Sequence, residues 1–272
     1  MTASPRTISR NQLSYIRDVI KTKRARDRER VFVLEGTRPI LELLHSAPHQ
    51  LVNVVVAPSF LDRQPPGIRQ QLLSSGCAVY TCSEERLAQL SDVESSSGAL
   101  AVVRQPTWDQ SAVLAQPRVL GLYGDMLQDP TNIGAIIRTA AGLNVSGLWL
   151  APNSVDVFNP KVVRATAGTL FQLPIFTHIG PEELLAMDCM ILAADAGDGG
   201  GSVPIRSIQT IPARTIVAIG SESRGLSEAT LKAAKLRFTI PLNQGVESLN
   251  AAAAAAIALF HLLGLPITRS VV

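Results

Sequence analysis

Apolar and polar positions alternate along most of this chain with the periods of strands and helices in turn, which predicts an α/β protein. After a basic opening segment, VFVLEG (31–36) has the unbroken apolar run of a strand, and TRPILELLHS (37–46) the spaced apolar positions of an amphipathic helix. LVNVVVA (51–57) and CAVYTC (77–82) are further strands, with PPGIRQQLLSSG (65–76) between them as a helix closed by glycine. A helix over SEERLAQLS, with Ser83 as its N-cap, and a strand at ALAVVR (99–104) complete a first unit. The stretch QPTWDQSAVLAQPR (105–118) then turns polar and carries two prolines, the composition of a linker. The expected organisation is therefore an N-terminal domain over 1–105, a linker over 106–117 and a C-terminal domain over 118–272.

The second domain repeats the alternation. Strands are expected at VLGLYG (119–124), GLWLA (147–151), LPIFTHI (173–179), CMILAADA (189–196), TIVAIGSE (215–222) and RFTIPL (237–242). Helices are expected at PTNIGAIIRTAAGL (130–143), NPKVVRATAGTLF (159–171), PEELLAM, LSEATLKAA and ESLNAAAAAAIALFHLL. Strands that alternate with helices imply parallel pairing with helices on the faces of the sheet.

Composition narrows the function. Aromatic residues are only 4% of the 272, which disfavours a binder that stacks bases on aromatic platforms. The net charge of +3 is unevenly placed: residues 1–30 hold nine basic and three acidic groups, a net +6 that leaves −3 for the remainder. A basic block suits a polyanion, because each cation set on a phosphate releases a counterion. A folded basic helix is the leading reading of this segment, ahead of an organelle transit peptide. Cys77, Cys82 and Cys189 form no C-x-x-C, which points to a reducing compartment and a cytoplasmic protein. His45 and His49 are four apart, but Pro48 interrupts their helix and no further ligand is near, so no metal is expected. The apolar run Ala251–Leu265 is too short to span a membrane.

The common nucleotide and hydrolase motifs are absent: there is no GxxxxGK[ST], no Rossmann spacing, no G-x-S-x-G and no H-E-x-x-H. GDGGG (197–201) reads as a flexible turn. Three turns at the carboxyl ends of strands combine glycine with polar residues, where open α/β sheets bind ligands. They are DPTNIGAIIRTA (129–140), IGSESRGLS (219–227) and IPLNQGVESLN (240–250). From spacing alone, Asn132 near an N-cap with a solvated Arg138 is as good a reading as a site.

As an ordered set, however, NxGxxxRTA, GSExxGL and IPL…ESLN before an alanine-rich helix resemble the three motifs of the SPOUT superfamily. They match its SpoU (TrmH-type) branch, S-adenosylmethionine-dependent RNA ribose 2′-O-methyltransferases. The likeness runs through 119–264, including SVDVFNPKVVRATAGTLF (154–171), and extends loosely to FVLEGTRPILELL (32–44) and SSSGALAVV (95–103). The chain departs from the family at Ala251 and Ala252, where valine and serine are common.

The resemblance implies a C-terminal domain with a parallel sheet flanked by helices and a deep trefoil knot, preceded by a smaller α/β, L30e-like substrate-binding domain. It also implies a homodimer through the knotted domain, S-adenosylmethionine as cofactor, and RNA as substrate, ribosomal RNA ahead of tRNA. Carried over by position, the polar active-site residues are Asn132, Arg138, Arg164, Glu222, Ser248 and Asn250. The cofactor residues are Gly220, Ser221, Glu222, Gly225, Ile240, Leu242, Ser248, Leu249 and Asn250. RNA contacts are expected from Arg17, Lys21, Lys23, Arg24, Arg26 and Arg38. Arginine holds its proton with a pKa of about 12.5–13.8, so Arg138 is expected to act electrostatically and not as a literal base. The six alanines at 251–256 are expected to let backbones approach closely, with Ala253 and Ala254 the positions where leucine would overpack. A non-catalytic knotted RNA binder and a base-nitrogen methyltransferase are the competing readings.

Overall fold

The computed structural model describes residues 4–91, 98–195 and 201–268. Positions 95–97 of SSSGALAVV and 197–200 of GDGGG lie outside these residues. The chain forms two compact units, one of Met1–Pro106 with Asp156–Gly168, the other of Thr107–Val155 with Thr169–Val272.

The first unit is built from β1 (Arg6–Thr7), α1 (Arg10–Lys21), α2 (Lys23–Glu29), β2 (Val31–Glu35), α3 (Thr37–Ser46) and β3 (Leu51–Val56). It continues with α4 (Pro58–Arg63), α5 (Pro66–Ser74), β4 (Ala78–Thr81), α6 (Glu84–Ala88) and β5 (Ala99–Arg104). The basic segment is helical, as expected, but in two pieces. Ser9 and Gln12 close a reciprocal capping box on α1, which buries Ile16 and Val19 in the core. Thr22 ends α1 and caps α2. The sheet order is β1-β4-β3-β5-β2, and β5 runs antiparallel to both β2 and β3. The sheet of this smaller α/β unit is therefore mixed. A strand buried on both faces, such as ALAVVR, reads the same in either direction, so hydropathy carries no sign of its sense.

The expectation that Arg26 meets RNA is corrected here. It is only 3% exposed, and its guanidinium bonds Asp156 Oδ2 at 2.8–2.9 Å and the Val19 and Ile20 carbonyls at 2.8 and 2.9 Å. This cation fastens the segment 156–168, read from the sequence as part of the second domain, to the first unit.

The second unit comprises α7 (Gln110–Leu114), β6 (Val119–Asp125), α8 (Pro130–Gly142), β7 (Gly147–Leu150), β8 (Ile175–Thr177), α10 (Pro181–Ala186) and β9 (Met190–Ala194), while α9 (Pro160–Ala165) lies in the inserted segment. β10 (Ser202–Pro204), β11 (Arg214–Gly220), α11 (Glu228–Ala233), β12 (Leu236–Thr239) and α12 (Ala251–Leu263) complete it. The expected helix over 159–171 stops at Ala165, because Ala167 and Gly168 turn left-handed at φ 51° and 93°. The sheet is wholly parallel in the order β10-β12-β9-β11-β6-β7-β8. The chain builds outward from β6 to β8, begins again at β9, and then inserts β11 between β9 and β6. That reversal makes the carboxyl ends of β9, β11 and β12 the natural ligand crevice. Trp149 fills the core beside Gly121, where a Cβ would stand 2.4 Å from its ring.

α12 is narrow by sequence and only partly enclosed. Ala251, Ala255, Ala258, Leu259 and Leu262 are buried, whereas Ala253, Ile257 and Phe260 are exposed. Within this chain Ala253 is exposed, on the same face as Ile257 and Phe260, so the chain's own elements do not supply its expected close packing. Arg118 donates to the carbonyls of Leu262, Leu263 and Leu265 at 3.0–3.1 Å, gathering the acceptors left over at the helix end.

Candidate active site

The crevice is a cavity of about 730 Å³ at the ends of β9, β11 and β12, closed by the loop before α12. All the expected cofactor residues except Asn250 line it: Gly220, Ser221, Glu222, Gly225, Ile240, Leu242, Ser248 and Leu249. Glu247, Val246 and Ala254 join them. So does Asp195, which sequence reasoning missed although it directly follows strand β9. Its position outside a strand's carboxyl end was the available signal.

Two local devices shape the loops. Ser221 and Gly225 exchange backbone hydrogen bonds of 3.1 and 2.8 Å, making a tight turn after β11. A Cβ on Gly220 would lie 2.1 Å from the Gly225 carbonyl carbon, so no other residue permits this closure. Asp125, ending β6, accepts the Ser227 N–H at 2.7 Å and anchors the far side of the turn. Beneath it, burial and the Asp125 carboxylate push the Tyr123 phenol well above the ordinary tyrosine range.

The three sequence motifs meet in one hydrogen-bonded chain. Asn132 on α8 donates to the Glu222 carboxylate and accepts from Asn250 Nδ2 at 2.8 Å. Asn250 Oδ1 in turn accepts the N–H groups of Ala252 and Ala253 at 3.0 and 3.3 Å, capping α12. Both asparagine amides are thereby committed to holding the loops together, and what they present to the cavity is Glu222. The expected helix from residue 247 begins only at Ala251, which leaves Glu247 and Ser248 in the loop.

Arg138 is not a lining residue. Six positions beyond Asn132 on α8, it is exposed and has no hydrogen bond or ion pair among the described residues. Arg164 belongs to the first unit, where its guanidinium stands 3.7 Å from Glu35. No cluster of three metal-ligating side chains occurs among the described residues, and no helix there is long and apolar enough to cross a membrane.

The cavity fits S-adenosylmethionine. Among the described residues, the backbone from Ile240 to Leu249 makes one internal hydrogen bond, Val246 N–H to Asn243 C=O. This loop backbone lines the cavity together with the apolar walls of Ile240, Leu242, Leu249 and Ala254, the lining an adenine ring requires.

Comparison with known proteins defines the class. The SpoU rRNA Methylase family matches residues 120–260, and the MRM3-like substrate binding domain matches residues 12–101. The chain belongs to the SpoU rRNA methylase family. It is 29% identical over 248 residues to the 23S rRNA (guanosine(2553)-2′-O)-methyltransferase RlmP of Bacillus subtilis, covering 90% of this chain and 93% of that one. It is 34% identical over 177 residues to the 23S rRNA (uridine(2479)-2′-O)-methyltransferase of Streptomyces viridochromogenes, covering 62% and 60%. The crystal structure of the SpoU methyltransferase AviRb from that organism, in complex with the cofactor AdoMet, superposes with a TM-score of 0.81 at 26% identity, over 94% of this chain and 97% of that one.

Proposed function

We propose that this chain transfers the methyl group of S-adenosylmethionine to a ribose 2′-hydroxyl of ribosomal RNA. The observation that carries the reading is the chain Glu222–Asn132–Asn250 at the cavity, which ties the three motifs into one site. The names of the relatives and the match to a substrate-binding domain favour ribosomal RNA over tRNA.

When bound, the cofactor supplies an electrophilic methyl group on a sulfonium. The protein must then align the hydroxyl with it, favour loss of the 2′-proton and exclude water. Glu222, oriented by Asn132, and Ser248 are among the polar groups that line the cavity, with Asp195, Ser221 and Glu247. Arg138, exposed on α8, grips a phosphate beside the target and favours the developing alkoxide as a fixed cation.

The reading includes the trefoil knot, supported by the insertion of β11 between β9 and β6 and by α12 packing on α8. It also includes a homodimer. Ile257 and Phe260, 42% and 74% exposed on α12, form an apolar face that a second copy would cover. Three free cysteines agree with the cytoplasm as the location.

The test is ribose-methylation mapping of total RNA from cells with and without the gene. One 2′-O-methyl mark in ribosomal RNA should disappear and return on re-expression. An unchanged ribose map, or the loss of a base methyl instead, overturns the proposal.

A further inference from the structure

The cations expected to contact RNA fall into two groups. Lys23 pairs with Asp27 at 2.6 Å, Arg38 with Glu42 at 2.8 Å, and Arg26 is buried. Arg17, Lys21 and Arg24 are exposed and have no hydrogen bond or ion pair among the described residues, and the same holds for Arg10.

Three of these four stand on one face of α1. With Ile16 and Val19 turned into the core, positions 10, 14, 17 and 21 repeat on an outward stripe of Arg10, Ser14, Arg17 and Lys21. Arg17 and Lys21 are about 6 Å apart along the axis, with Arg10 about 10 Å further on. Beside this cationic stripe runs a second one, at positions 11, 15, 18 and 22, made of Asn11, Tyr15, Asp18 and Thr22. A groove of about 560 Å³ lies on this face, lined by members of both stripes from Asn11 to Thr22.

The second stripe is suited to bases. Tyr15 is half-buried, its ring braced on the core, and burial with the Glu29 carboxylate raises its phenol pKa, so the ring stays neutral. Asp18, whose Oδ1 takes the Thr22 hydroxyl at 3.1 Å, lines the groove and adds carboxylate acceptors to it. Asn11 adds an amide with no partner among the described residues. A single RNA strand presents phosphates along one edge and unstacked bases along the other, whereas an A-form duplex encloses its base faces.

We propose that α1 docks a single-stranded segment of the RNA substrate, its phosphates along Arg10, Arg17 and Lys21 and one base stacked on Tyr15. The proposal rests on RNA being the substrate, and adds the surface and the strand form that it takes. It revises the expectation from composition, since one placed aromatic suffices where many were missing.

The test uses the full chain without cofactor and a short labelled RNA of mixed sequence, either single-stranded or annealed to its complement. Binding is read by fluorescence anisotropy over a salt series. The single strand should bind more tightly than the duplex. Tyr15→Leu, which keeps the packing but removes the π-face, should weaken binding on the order of tenfold, and Tyr15→Phe should not. The double variant Arg17→Gln, Lys21→Gln should reduce the slope of log K against log salt by about 1.4, two phosphates at about 0.7 each. Both glutamines are on exposed positions, so folding does not confuse that arm. Equal affinity for duplex, unchanged binding by Tyr15→Leu, or an unchanged slope would each overturn the proposal. Cofactor-free docking is measured separately from methyl transfer, so either reading can fail alone.

Discussion

Asn250 donates its side-chain amide to Asn132 at 2.8 Å although the two residues are 118 positions apart. The same Asn250 side chain caps α12 with its oxygen, so one residue both starts a helix and joins two motifs. Asn250→Ala should therefore cost about 1 kcal/mol for the cap and about 1 more for the lost bond. Cofactor affinity should fall with it, as Asn132 loosens its hold on Glu222. Urea unfolding and calorimetry measure the two effects, and an unchanged midpoint would detach the helix from its cap.

Arg138 makes no contact in the cavity and has no partner among the described residues. Arg138→Ala should lose most methyl transfer while cofactor affinity, measured by calorimetry, changes little. Turnover close to wild type would remove Arg138 from the mechanism.

The alanine run makes a graded prediction. Ala255 is fully buried, and Ala255→Leu should destabilise by about 1–3 kcal/mol through overpacking. Ala254 lines the cavity, so Ala254→Leu should weaken cofactor binding more than folding. Ala253 shares the exposed face of Ile257 and Phe260, so its leucine variant should melt like the wild type as a single chain and weaken the proposed association of two copies. Thermal melts of the three, with and without S-adenosylmethionine, separate these outcomes.

Arg26→Ala leaves Asp156 without its partner in a mostly buried place, at an expected cost of about 3–5 kcal/mol. The loss should appear as an early unfolding transition of the first unit in calorimetry. A variant that folds normally but loses only salt-dependent RNA binding would restore Arg26 to the surface.

Alkali should weaken the second unit. Tyr123 titrates in the unfolded chain near pH 10, while the folded site holds the proton to higher pH. Below about pH 10 both states keep it and no dependence arises. Above that, only the unfolded state releases it, so stability falls as pH rises. Cys189, raised by burial, adds the same sign from a lower pH. Tyr123→Phe should flatten the slope above pH 10 in denaturant titrations, and an unaltered slope would clear this residue.

Much of the site was legible because the turns after β11 and β12 combine glycine with polar residues, and the motif resemblance then marked Gly220, Glu222 and Ser248, all of which line the cavity. What escaped was set by long-range packing. A charge pattern does not distinguish Arg26, which pairs with a residue 130 positions away, from Arg24 in solvent. The left-handed turn begins at Ala167, an alanine, so Gly168, two residues beyond the C-cap Thr166, was the one local sign that α9 stops early. Nor does ESLN show that Asn250, and not Ser248, takes the cap, since both residue types serve.

The excursion of residues 156–168 into the first unit has a consequence for how such proteins can be rearranged. A recombination point placed in the apparent linker would deliver residues 1–105 without Asp156, and Arg26 would be left in an apolar core with no counter-ion. Exchange of substrate-recognition halves among relatives should thus succeed only when the distant 13-residue stretch from Asp156 to Gly168 travels with them. The heritable module is two pieces of text, and chimeras cut at a single junction should be recovered as insoluble protein.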